Sequence, residues 1–209
     1  MRLLLTFEGI DGSGKTTITQ YIYNYFVNKN ISVMLTREPG GNVIAEKIRD
    51  LILDPTNKTM DDKTEALLYA ASRRQHLVEK ILPALSSGTL VLCDRFVDSS
   101  IAYQGYGREI GAEAVLSINQ FAIGNHMPDM TFFLDVDLEV GLGRVNKRDE
   151  LDRLETSGND FFKRTYDGYQ AIIKNNPRIR IIDASRTVEA IADEIIELIM
   201  NDLRREIDR

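Results

Sequence analysis

At 209 residues, 43% hydrophobic and 28% charged, the chain is sized for a single domain with a substantial core. A formal net charge of -6 argues against a broad surface for duplex nucleic acid, and the lone Cys93 excludes an intramolecular disulfide. No run is long enough to span a membrane and no charged-then-apolar leader precedes the first apolar run, so the expected compartment is a reducing cytoplasm.

The first predicted element is a strand over Leu3-Leu4-Leu5-Thr6-Phe7. It runs into Gly9-Ile10-Asp11-Gly12-Ser13-Gly14-Lys15-Thr16, followed by Thr17 and by Ile18, Tyr21, Ile22, Tyr25 and Phe26 at helical spacing. Strand, G-x-x-x-x-G-K-T turn and helix together make a phosphate loop rather than a mere packing turn. Its backbone N–H groups converge on one anion at a helix N-terminus. Lys15 is expected to reach the β- and γ-phosphates of a nucleoside triphosphate, and the Thr16 hydroxyl to take a Mg²⁺ position.

A second strand is predicted over Ile31 to Thr36, then a charged loop, Arg37-Glu38-Pro39-Gly40-Gly41. In open α/β sheets such loops at the carboxyl ends of strands carry the site. A helix over Val43 to Leu53 carries Arg49. Asp62 and Glu65 have capping-box spacing for a helix running towards Leu82, with Leu68, Ala71, Val78 and Leu82 facing the core. Tyr69 and Arg73, four apart, share one side of it. They make either a nucleobase cradle or a partly exposed helix face.

Thr89 to Asp94 reads as a buried parallel strand ending in an acid suited to Mg²⁺ across from Thr16, with Arg95 on the same edge. Phe96 to Gly107 is polar and glycine-bearing, which predicts a loop leading into helix. A helix over Glu113 to Ile123 and a fourth strand over Met130 to Val136 follow. Leu138 to Arg153 carries Arg144, Lys147, Arg148 and Arg153, either a solvated helix face or an arginine-bearing lid. Helix Phe161 to Asn175, a short strand Ile179 to Ile182 and a last amphipathic helix from Val188 complete the chain. The alternation predicts a three-layer α/β fold with a five-stranded parallel sheet, one domain over 1–209 with a mobile lid at about 138–156. His76 and His126 lack ligand spacing and are expected at the surface, so no zinc site is implied.

A phosphate loop alone leaves a small-molecule kinase, an ATPase and a GTPase switch open. Asn146-Lys147-Arg148-Asp149 matches a guanine-reading motif, but it lies in a basic helical segment rather than after a strand. Three motifs in order, Phe7 to Thr17, Thr36 to Gly41 and Asp94-Arg95-Phe96-Val97-Asp98-Ser99-Ser100-Ile101-Ala102-Tyr103-Gln104-Gly105, resemble bacterial thymidylate kinases. That resemblance implies the P-loop nucleoside monophosphate kinase fold, transfer of phosphate from ATP to dTMP with Mg²⁺, a homodimer, and neither membrane nor nucleic-acid partners. It implies an ATP site at Gly9, Ile10, Asp11, Gly12, Ser13, Gly14, Lys15, Thr16, Thr17 and Arg144, and Mg²⁺ at Thr16 and Asp94. For dTMP it implies Asp11, Arg37, Glu38, Pro39, Arg49, Tyr69, Arg73, Arg95, Ser99, Tyr103 and Gln104. Tyr69 would stack on the base, Arg73 bond its exocyclic oxygen, and Tyr103 crowd a ribose 2′-hydroxyl.

The catalytic set so implied is Lys15, Asp11, Arg95 and one lid arginine, because the phosphate loop carries none. Within Asp152-Arg153-Leu154-Glu155, Arg153 is the first choice, with Arg144 and Arg148 behind it. Kinases for another nucleoside or monophosphate and a P-loop ATPase or GTPase switch remain the alternatives.

Overall fold

In a computed structural model, residues 3–145, 147, 152–174 and 176–207 are described. Five parallel strands, β1 Leu4–Glu8, β2 Val33–Arg37, β3 Leu90–Asp94, β4 Met130–Asp135 and β5 Ile179–Asp183, lie in the order β2-β3-β1-β4-β5. The helices are α1 Lys15–Asn28, α2 Val43–Leu53, α3 Asp62–His76, α4 Leu82–Ser86, α5 Val97–Ser100, α6 Ala112–Ile123, α7 Leu138–Val145, α8 Asn159–Ile173 and α9 Val188–Ile207. π-helical turns at Leu77–Ile81 and Ile101–Gly107 bridge α3 to α4 and extend α5.

Alternation along apolar strands sends successive side chains to opposite faces, and both faces are covered. Leu5 and Phe7 of β1 and Leu90 and Leu92 of β3 pack with Ile18, Ile22 and Phe26 of α1 and Ile191, Ile195 and Ile199 of α9. Leu4, Val91 and Cys93 face the other way, onto Ala70, Leu77, Ile81, Val115 and Ile123. This is the three-layer arrangement the alternation predicted. Every strand ends in a charged residue at its carboxyl edge: Glu8, Arg37, Asp94, Asp135 and Asp183. Β1 lies between β3 and β4, so the chain crosses over there, which puts the binding crevice above Glu8 and Asp94.

Several local expectations change. The N-cap of α3 is Asp61, whose carboxylate accepts from the Lys63 and Thr64 N–H groups, not Asp62 with Glu65. Glu65 is buried, and the inner face of the helix is Ala66, Ala70, Arg73 and then Leu77 and Ile81, while Ala71 and Val78 are exposed. Leu68 and Leu82 still pack against the core, and a π turn at Leu77–Ile81 follows α3. The stretch expected as a polar loop, Phe96 to Gly107, is instead buried helix, because its polar side chains find partners inside. The Asp98 carboxylate, for example, accepts both Nη groups of Arg178 at 2.8 and 2.9 Å.

Candidate active site

The turn between β1 and α1 places the phosphate loop at the crevice. Gly12 has φ 80 and a Cβ there would stand 2.3 Å from the Gly141 carbonyl oxygen of α7, so only glycine serves at this position. Lys15 folds back into the loop, its Nζ donating to the Gly9 and Ile10 carbonyls at 2.9 and 2.8 Å and to Ser13 Oγ at 3.2 Å. Burial, with Arg95 nearby, pulls its ammonium down to about 8. Thr16 Oγ1 donates to Asp94 Oδ2 at 3.2 Å, while Asp94 Oδ1 is buried with no partner among the described residues. A hydroxyl and a carboxylate with an orphaned hard oxygen suit Mg²⁺.

Two adjoining cavities open on the carboxyl edge. The phosphate-side cavity is walled by residues 11–18, Asp94, Arg37, Arg144 and the start of α9, with Arg186 and Val188. The second, about 570 Å³ including the part open to solvent, is lined among others by Pro39, Tyr69, Arg73, Ser99, Tyr103 and Gln104. Asp11, Glu38, Arg49, Arg95 and Asp152 face both, so the two meet along one charged wall.

Arg95 is the hub of that wall. Its backbone takes the left-handed conformation, φ 71, after β3, and its N–H is held by the Phe7 carbonyl at 2.9 Å. Nη1 donates to Gly9 O and Ser99 Oγ, both at 3.0 Å, and Nη2 to Asp11 Oδ1 at 2.6 Å. Tyr103 lies under the guanidinium at 5.0 Å and donates its hydroxyl to Asp11 Oδ2 at 2.7 Å. Burial would raise the Asp11 carboxyl, but Arg95 and Lys15 outweigh it and hold it at about 2. Buried Glu8 backs the hub, accepting from Ser99 Oγ at 2.6 Å and Tyr169 OH at 2.8 Å. Burial, reinforced by Asp98, pushes its carboxyl up.

Arg73 is buried and mostly spent within the protein. Nε donates to Glu38 Oε2 at 2.7 Å, Nη1 to Ser100 Oγ at 3.0 Å and to Asn119 Oδ1, and Nη2 to the Phe96 carbonyl at 2.9 Å. One Nη2–H is left for the cavity it lines. Burial pushes the Tyr69 phenol up, so at neutral pH it presents a neutral ring and a donor hydroxyl. Glu38 is fixed from below by His76, whose Nδ1 lies 3.0 Å from Oε1 and whose Nε2 lies 2.7 Å from Thr36 Oγ1. His76 is therefore buried, not at the surface as expected; only His126 is exposed. Glu38, His76 and buried Cys93 lie close together, but both ring nitrogens are engaged and Cys93 Sγ donates to the Arg95 carbonyl. This trio props the wall.

The predicted residues do not all converge. Arg37 faces the phosphate-side cavity alone, with Nη2 on Glu46 at 3.0 Å and Nη1 on the Pro39 carbonyl. Ile10 is core, against Gly141. Arg144 reaches the phosphate loop, Nη1 donating to the Gly12 carbonyl at 2.8 Å. Arg153, expected to act on the transferred phosphate, lines neither cavity: it is 9% exposed, Nε bonds the Ile52 carbonyl at 2.7 Å and Nη2 the Glu65 carboxylate at 2.5 Å. A buried carboxylate holds the guanidinium instead. Arg148 and most of the guanine-motif match, Asn146, Arg148 and Asp149, lie outside the described residues. Sequence reasoning missed Asp152 as a wall residue and Arg186 beyond β5; the latter's place after a strand's carboxyl end was the available signal.

The thymidylate kinase family model matches residues 7–195. The chain belongs to the thymidylate kinase family. A thymidylate kinase from Finegoldia magna is 53% identical over 197 residues, covering 94% of this chain and 97% of that one. One from Oceanobacillus iheyensis is 50% identical over 200 residues, covering 94% and 89%. The crystal structure of a thymidylate kinase from Ehrlichia chaffeensis superposes with a TM-score of 0.78 at 35% identity, over 95% of this chain and 98% of that one. This family member is thus a kinase of the P-loop nucleoside monophosphate kinase fold, and the ATPase and GTPase-switch readings of the phosphate loop fall away.

Proposed function

We propose that this family member phosphorylates dTMP to dTDP with ATP and Mg²⁺, as a cytoplasmic homodimer. The observation that carries the reading is the pair of cavities meeting along the Arg95–Asp11–Arg49 wall. A phosphate loop lies on one side and an aromatic, amide-bearing pocket on the other. Lys15 and Arg144 would hold the triphosphate, and Arg95 and Arg49 the acceptor monophosphate. Tyr69, Arg73 and Gln104 would face the pyrimidine, and Tyr103 the deoxyribose. In the transfer, the bond from the γ-phosphorus to the β,γ-bridging oxygen breaks as one forms to an oxygen of dTMP, and ADP leaves. The acceptor oxygen is already anionic, so positioning and charge compensation carry the catalysis and no strong base is needed. Thr16 and Asp94 would hold Mg²⁺, which when bound neutralises phosphate charge.

Lid character for residues 138–156 is part of the proposal, with Arg144 as its phosphate-facing arginine among the described residues. Exposed Phe121 on α6, 93% accessible, supports a second copy of the chain covering that face. No described helix is long and apolar enough to cross a membrane. ADP release should be measured with ATP, Mg²⁺ and, in turn, dTMP, dUMP, dCMP and thymidine. The expected outcome is fastest turnover with dTMP and none with thymidine, which lacks the acceptor phosphate. No ADP release with dTMP would end the reading.

A further inference from the structure

We propose that Glu65 fixes the orientation of the Gln104 amide so that the pocket reads a ring N–H on the acceptor's pyrimidine. The inference rests on the proposed function and adds a positioning residue outside the set the sequence suggested. Glu65 enters from the first turn of α3 and is fully buried. Its Oε2 takes Arg108 Nη2 at 3.1 Å and Arg153 Nη2 at 2.5 Å, and its Oε1 takes Gln104 Nε2 at 2.9 Å. A carboxylate gripped by two guanidiniums accepts hydrogen bonds and cannot donate one. The amide opposite must therefore turn its NH₂ to Glu65, and the alternative flip would set two oxygens face to face in a buried site.

That leaves the Gln104 carbonyl oxygen. This side-chain oxygen, Oε1, accepts no hydrogen bond within the chain among the described residues, and Gln104 lines the acceptor cavity with Tyr69 and Arg73. The group offered to a bound base is thus an acceptor, held there by an ion-paired partner that the ligand does not touch. Thymine and uracil carry a proton on the ring nitrogen between their two carbonyls, while cytosine carries a lone pair there. An acceptor locked in place satisfies the first and opposes the second. The ring methyl plays no part in this contact.

The experiment compares kcat/KM for dTMP, dUMP and dCMP in the wild-type protein and in Glu65→Gln. The new side chain can donate or accept, so the Gln104 amide is released to take both orientations. The dTMP:dCMP ratio should fall about tenfold or more, the scale of a lost hydrogen-bond discrimination, while the dTMP:dUMP ratio stays within about twofold. General loosening of the pocket would instead erode both ratios together; that result, or an unchanged dTMP:dCMP ratio, overturns the proposal.

Should Glu65→Gln not fold, side-chain amide NMR on the wild-type protein decides, with the Gln104 signals assigned by their loss in Gln104→Met. A downfield, slowly exchanging Nε2 proton supports the lock, and exchange at the rate of exposed amides overturns it. Wild-type protein that does not turn over dTMP sinks the proposed function alone, since the NMR measurement needs no activity.

Discussion

Lys15, which the proposed function places on the phosphates, folds back onto its own loop. Its ammonium satisfies two loop carbonyls and a hydroxyl while burial and Arg95 hold it at about 8, below the ordinary 10.5. The folded chain thus binds fewer protons here than the unfolded chain between those values, and this group's contribution to stability rises with pH across that window. A triphosphate placed beside Lys15 favours the charged form. Calorimetry at pH 8 in buffers of different ionisation enthalpy should therefore show uptake of about half a proton per ATP bound, absent in Lys15→Met. The same variant should lose about 10²–10³ in kcat, as removal of one preorganised charge donor does. Equal heats in all buffers would show Lys15 already protonated in the free protein.

Among the elements, the segment after β4 divides between two jobs. Helix α7 lies on the phosphate loop through the Gly12–Gly141 approach and the Arg144 bond to Gly12, whereas Arg153 ties the segment's other end to α2 and Glu65. Arg144→Ala is expected to lower kcat by about 10–10³ with little change in the KM for dTMP. Arg153→Ala should chiefly cost stability, on the order of 3 kcal/mol by denaturant unfolding, because it strips a partner from a buried carboxylate. A large kcat loss with unchanged stability in Arg153→Ala would return that residue to the reaction.

The sequence was most legible where local rules act alone. The phosphate loop and the bounds of α2, Val43–Leu53, came from turn chemistry and periodicity. It was least legible where polar residues are buried by pairing at long range. Asp98 with Arg178, His76 with Glu38, and Arg153 with Glu65 all carry surface composition and interior positions, and nothing near them in the chain announces their partners. The π turns at Leu77–Ile81 and Ile101–Gly107 leave no mark that a fixed helical period could detect.

At the scale of the whole molecule, a parallel sheet buried on both faces supports a rim of charge, and the exposed Phe121 on α6 is where the proposed dimer is expected to form. Sedimentation should report a dimer that Phe121→Glu converts to monomer, and a monomeric wild-type protein would remove that assignment.

Cys93 lies in β3, between β2 and β1, fully buried, its thiol pushed well up by burial and bonded to the Arg95 carbonyl. A sulfur so placed is inert until the sheet parts above it. The chain therefore carries a built-in clock: the rate at which a small alkylating reagent consumes its single thiol measures how often the centre opens. Nucleotides that grip the rim on both sides of β3 should slow that clock in proportion to their occupancy.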